Sequence, residues 1–201
     1  MIDELVPILD DNGGGGNRKR AAVTAIILAV VFTLAFITAT LISKFVTKTF
    51  TVDGTSMYPT LSGGVSGDYG DGDKVVVNRL SKIKRGDIVV LYASGYNNAL
   101  VKRAIALEGD TLEIKDGVIF INGSAIEENY LTEENKILRD INGTPINKAK
   151  ETVPEGHIYV LGDNRLVSND SRYLGYIPLS SVEGKVFLII RENKTLALPK
   201  K

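Results

Sequence analysis

Hydrophobic positions along the chain fall into two regimes. Residues 21–43 form one unbroken run rich in Ile, Leu, Val, Phe and Ala, with no charge, Pro or Gly. A helix rising about 1.5 Å per residue makes that run about 35 Å long, enough to cross a hydrocarbon core of about 30 Å with some tilt. From residue 49 onward the apolar runs shorten and alternate with turn residues, the texture of an all-β domain. The alternation predicts strands over 50–52, 74–78, 87–92, 100–107, 111–114, 118–122, 157–161 and 185–191. Asp116-Gly117 between two of them reads as a hairpin turn, because Gly accepts the positive φ such turns require. Helical periodicity is weak outside the first run.

The polar stretches divide the chain. Residues 1–17 mix acids with a run of four glycines and have little to bury, so they are assigned no fold and expected to be flexible. Arg18-Lys19-Arg20 stands directly before the apolar run. Basic residues at that flank place the amino end in the cytoplasm and everything after Ser43 outside it. A removable signal peptide has an apolar core of about 7 to 15 residues, so a run of 23 after a polar head reads better as a retained single-pass anchor. The expected organisation is therefore a flexible cytoplasmic segment (1–20), a transmembrane anchor (21–43) and an extracytoplasmic β-rich domain (44–201). Within the last, residues 109–155 form an inserted second lobe, polar over 127–153 and with strand signal there only at 137–141. Residues 62–73, with five glycines, read as a mobile loop. The fold class is mainly β: an antiparallel sheet domain with a small inserted lobe, preceded by one transmembrane helix.

Composition then removes whole classes of chemistry. Lys plus Arg and Asp plus Glu number 24 each, so no basic field invites nucleic acid as a partner. There is no cysteine, which excludes disulfides, thiolate metal sites and thiol nucleophiles. A single histidine, His157, precedes an apolar strand and reads as structural. A hydrolase built from this chain has to find its base elsewhere.

Ser56, in the turn Thr55-Ser56-Met57-Tyr58-Pro59-Thr60 just beyond the anchor, is a candidate nucleophile, and a serine hydroxyl needs a base to become one. Lys102 is the candidate base. In a strand, alternate side chains share a face, which groups Lys102 with Ala104 and Ala106 and leaves Val101, Arg103 and Ile105 opposite. Small apolar neighbours that exclude water favour the neutral amine. The alternative is an ordinary edge-strand lysine pointing into solvent. Residues 162–172 are dense in Asp, Asn, Ser and Arg directly after an apolar run. They fit a loop that gathers hydrogen-bonding groups at one point, a well-capped turn with a surface ion pair, or a calcium loop, although EF-hand spacing is lacking.

Taken together these stretches resemble the bacterial type I signal peptidase family of Ser-Lys endopeptidases. The likeness runs from the anchor to about Arg191 in the family's order: Ser56-Met57-Tyr58-Pro59-Thr60-Leu61, Arg85-Gly86-Asp87-Ile88-Val89-Val90, Lys102-Arg103 with Gly109-Asp110, and Gly162-Asp163-Asn164-Arg165 through Ser168, Asp170, Ser171 and Arg172. The resemblance implies that Ser56 is the nucleophile, Lys102 the general base and Ser168 a hydroxyl that positions the lysine. Asp170 and Arg172 are implied as a supporting ion pair, with Asp163 and Asn164 holding the loop. It implies preproteins bearing signal peptides as substrates, with small residues one and three positions before the cut, at the outer face of the cytoplasmic membrane. Membrane lipid is the other expected partner; no cofactor, metal or nucleic acid is implied. The chain has Gly54 where some members carry a serine that completes the oxyanion hole. The competing reading is a membrane-tethered β domain of the same family without activity.

Overall fold

A computed structural model describes residues 14–64 and 72–200. Helix α1 spans Gly14–Val46. Within it Arg18–Leu41 is long and apolar enough to cross a membrane and is 0% buried. The helix thus starts within the stretch expected to lack structure and ends past the expected boundary at Ser43, because nothing between Gly14 and Val46 stops it: there is no Pro, and backbone bonding propagates once a turn exists. The rest of that polar head, residues 1–13, lies outside the described residues, as does the tip of the glycine-rich loop, residues 65–71.

From Phe45 onward the chain is a β-rich unit. Its strands are β1 (Thr47–Thr51), β2 (Lys74–Asn78), β3 (Ile88–Leu91), β4 (Leu100–Leu107), β5 (Thr111–Lys115), β6 (Val118–Ile121), β7 (Ser124–Ala125), β8 (Lys148–Thr152), β9 (His157–Leu161), β10 (Ile177–Pro178), β11 (Val182–Ile190) and β12 (Leu196–Ala197). The larger sheet runs β1-β2-β11-β3-β4-β9-β10, with β12 also on β11; the smaller runs β7-β6-β5-β8. All pairings between these strands are antiparallel. Asp116 and Gly117 turn β5 into β6 with φ of 50° and 77°, the double positive φ of a tight hairpin.

Three apolar clusters hold the unit. Val52, Met57 and Leu61, which flank Ser56, pack with Val75, Val77, Ile88 and Ile189. Val89, Leu91 and Val160 join Ile158 and Ile177. Ile105, Ala106, Tyr159 and Leu161 meet Leu112 and Ile114 of the smaller sheet and Leu138 of the insert. Strand β4 is central, between β3 and β9, and not an edge. A bulge interrupts its pairing with β9 between Ala104 and Ala106. An extra residue shifts every later side chain by one place, and Ile105 and Ala106 accordingly enter the same cluster. The expected grouping of Lys102 with both alanines therefore fails at Ala106.

The segment 127–153 also differs from expectation. Its strand is β8, whose residues Lys148–Thr152 are mostly exposed, whereas 137–141 contributes one bridge, Arg139 to Pro145. An exposed polar edge strand leaves no apolar alternation to read.

Candidate active site

Ser56 sits in the turn that follows β1. Met57 and Leu61 anchor that turn in the core, and Val52 pins its start. Two glycines of the following loop press on the same backbone: a Cβ on Gly63 would stand 1.9 Å from Gly54 O, and one on Gly72 would stand 2.0 Å from Val52 O. Only glycine permits that approach. The loop's base is closed by Asp73, whose carboxylate accepts from Ser62 N at 2.9 Å and from Arg191 at 2.5 Å.

Lys102 reaches this turn from the middle of β4. Its Nζ lies 2.9 Å from Ser56 Oγ and 2.9 Å from Val101 O, with the residue only 2% exposed. Neither contact is to a carboxylate. Burial pushes the amine down to about 8, against the charges of Asp170 and Asp163, which pull it back up. The two residues are 46 positions apart in sequence, and the central place of β4 is what dries the amine.

The 162–172 loop closes the site from the third side. Asn164 N donates to Ser56 O at 3.0 Å and Asn164 Nδ2 to Thr55 O at 3.2 Å, which fixes the backbone on which the serine rides. Asp163 is fully buried and takes Arg103 Nε at 2.8 Å and Nη2 at 2.6 Å. Asp170 accepts from Gly162 N at 3.0 Å and from Arg172 Nε at 2.8 Å. Arg172 in turn donates to the carbonyls of Arg165 (2.7 Å) and Ser168 (3.0 Å), so the pair braces the loop's own backbone. Ser168 Oγ is buried and has no hydrogen-bond partner among the described residues; the lysine's second acceptor is Val101 O instead. Gly162 is where Ser168 and Ser56 converge, since a Cβ there would stand 2.2 Å from Ser168 Oγ and 2.5 Å from Ser56 O.

Several groups in this network were given no role from sequence, Arg103 and Arg165 among them although both stand in the quoted motifs. Arg103 and Arg165 are both buried; Arg165 donates to Gly162 O at 3.0 Å and pairs with Glu128 at 2.5 Å. The Arg103 guanidinium lies 3.7 Å from the Tyr130 ring centre and also donates to the carbonyls of Gly86 and Lys200, both at 2.7 Å. Asn135 Oδ1 accepts from Arg165 N at 2.8 Å. Glu128 and Asn135 thus carry the polar insert onto the loop beside the serine, and Tyr130 carries it onto Arg103 of β4. A signal existed: a basic residue on the apolar side of a strand needs an acid brought from elsewhere. His157 contacts Glu155 O, consistent with a structural part.

Beside the serine turn a cleft of about 450 Å³ is lined by Val52, Asp53, Val90, Tyr96, Leu100 and Val101, among others. The Ser56 N–H takes no acceptor among the described residues. No group of three or more His, Cys, Asp or Glu suited to a metal ion occurs among the described residues.

Residues 23–191 match the family model described as "Signal peptidase, peptidase S26". Signal peptidase I of Bacillus licheniformis is 39% identical over 169 residues, covering 81% of this chain and 83% of that protein. Signal peptidase IB of Staphylococcus aureus is 35% identical over 165 residues, covering 76% and 82%. A crystal structure of a signal peptidase I from Enterococcus faecalis, 34% identical, covers 52% of this chain and 97% of that one with a TM-score of 0.43.

Proposed function

We propose, for a chain that belongs to the signal peptidase family of serine endopeptidases (peptidase S26), that it releases signal peptides from exported preproteins by a Ser56–Lys102 mechanism. The observation that carries this reading is the 2.9 Å approach of Lys102 Nζ to Ser56 Oγ, made by a buried amine with no carboxylate in contact. Neutral Lys102 accepts the Ser56 proton as Oγ attacks the carbonyl carbon at the cleavage point. The resulting ammonium protonates the departing amine, leaving an ester on Ser56. Lys102, neutral again, takes a proton from the water that hydrolyses this ester.

The remaining residues act by position. The Ser56 N–H is assigned to the developing oxyanion, for which Gly54 supplies no hydroxyl. Ser168, a buried hydroxyl with nothing else to bond, is assigned to the lysine once the ammonium forms. Asp163 and Asn164 hold the loop to the serine turn, and Asp170 with Arg172 holds the loop to itself. The cleft beside Val101 is assigned to the substrate's small residues before the cut. Residues 21–43 serve as a single-pass anchor with the amino end in the cytoplasm and the β-rich unit outside. Sharing a bilayer with the substrate raises their effective concentration.

The test is cleavage of a purified preprotein by detergent-solubilised protein, with the cut located by mass spectrometry. One cut after a small residue, lost in both Ser56→Ala and Lys102→Ala, is the expected result. Normal cutting by Lys102→Ala would assign the base elsewhere, and intact preproteins with wild type would return the unit to a binding role.

A further inference from the structure

The cleft beside the serine turn has an apolar base and a polar rim. Of the residues that line it, Val52 and Val90 are buried and Val101 half-buried, whereas Asp53 and Asn98 are exposed. One wall is the end of β1 with the residues that follow it; the other is the β3–β4 connection with the start of β4. That second wall is tied to the 162–172 loop, where Asn169 Nδ2 donates to the Tyr96 hydroxyl.

Asp53 is the one charged residue among those lining the cleft. Its backbone is held on both sides: Val52 N donates to Asp73 O at 2.8 Å, and Asp53 itself bridges to Gly64. Its carboxylate, however, has no hydrogen bond or ion pair among the described residues. Asp73, at the base of the same loop, is by contrast taken up by Ser62 N and Arg191. The cation that the β1–β2 register brings nearest is Lys74, opposite Thr51, and it forms no ion pair with Asp53. A fixed and uncompensated negative charge therefore stands at the rim of the cleft.

Successive residues of an extended chain turn to opposite faces. Val52 enters the core and Asp53 does not. The same alternation governs a peptide laid along the cleft. With the residues one and three positions before the cut in the apolar base, the residue between them rises to the rim. Three residues separate Asp53 from Ser56, at most about 11 Å of chain, and two residues of an extended substrate cover about 7 Å. The carboxylate and that intermediate side chain thus share one end of the cleft.

We propose that Asp53 is a specificity residue, favouring substrates with a basic side chain two positions before the cut and opposing acidic ones there. This rests on the cleavage reading given above and on its placement of the small residues. At an exposed rim the attraction and the repulsion are each modest and are screened by salt. Combined, they separate a lysine substrate from a glutamate one by about 10-fold in kcat/KM at low ionic strength.

The test uses full-length, detergent-solubilised protein and one purified preprotein in three forms, with lysine, glutamine or glutamate two positions before the cut. Expected is cutting in the order lysine, glutamine, glutamate, with the spread shrinking at about 0.5 M salt. Asp53→Asn should bring the lysine-to-glutamate ratio close to one, and Asp53→Lys should invert it. A ratio cancels any general loss of activity in these variants, and the salt series on wild type needs no variant. Equal cutting of the three forms by wild type, a spread that salt leaves unchanged, or a ratio that survives Asp53→Asn would each overturn the proposal while leaving the peptidase reading intact. A spread seen only when the same substitutions stand four positions before the cut would overturn the placement of Asp53. Wild type that cuts none of the three, nor the parent preprotein, would remove the peptidase reading and this proposal together.

Discussion

Strand β4 carries two consecutive buried cations, on opposite faces, and treats them in opposite ways. Arg103 is matched on all sides: Asp163 takes two of its N–H groups, two carbonyls take more, and the Tyr130 ring covers its plane. Lys102 has only a hydroxyl and a carbonyl. With a carboxylate in contact, burial yields a permanent charge that organises backbone. Without one, the same burial makes the charge costly and favours the neutral amine that the proposed mechanism needs.

The comparison is first broken at the reaction itself. Ser56→Ala should abolish preprotein cleavage, and Lys102→Met should lower kcat/KM by about 10²- to 10⁴-fold or more, read by gel or mass spectrometry. Stability separates the two cations next. Arg103→Met strips Asp163 of its partner and should cost about 3–5 kcal/mol in denaturant unfolding. Lys102→Met removes an unmatched charge and should stabilise the protein at neutral pH while leaving it inactive. If both variants lose stability alike, the contrast is wrong.

Titration sharpens the same point. The amine titrates at about 8 in the folded protein against 10.5 unfolded. Below about 8 both states hold the proton and the full burial penalty stands. Between about 8 and 10.5 the folded state releases it while the unfolded state keeps it, so stability rises with pH, by on the order of 3 kcal/mol in all. Cleavage should climb through the lower of these values, since the base acts neutral. Lys102→Met should flatten the stability rise.

Smaller effects follow on the loop. Gly162→Ala puts a methyl against Ser56 O and Ser168 without touching a reacting atom, and should lower kcat by about 10²-fold through misplacement. Glu128→Gln weakens the insert's hold on Arg165 and should cost about 1–3 kcal/mol by thermal or denaturant unfolding, with cleavage reduced less than by Gly162→Ala.

Much of this architecture was readable beforehand because each long strand has its own apolar run; β2, β4 and β9 match their expected spans. What could not be read was context. Whether β4 is central or an edge depends on β9 arriving from distant sequence to cover the side that its hairpin partner β3 leaves open, and the whole question of Lys102's charge turned on it. The bulge at Ile105 leaves no mark in an all-apolar run. Two-residue strands such as β7, β10 and β12 are too short for any period, and β8 is too polar. Glu128 and Tyr130 looked like solvated insert because nothing local announces that an arginine 37 positions away will claim the acid.

The strand order has a further consequence, in time. Ser56 belongs to the β1–β2 hairpin and Lys102 to the β3–β4 hairpin, yet these hairpins do not pair with each other; β11, residues Val182–Ile190, lies between them. A chain emerging amino end first would hold both halves of the proposed pair long before the strand that joins them exists. If the proposed pair is the reactive one, partly made or partly unfolded molecules should be inert until that last long strand zips the two halves into register.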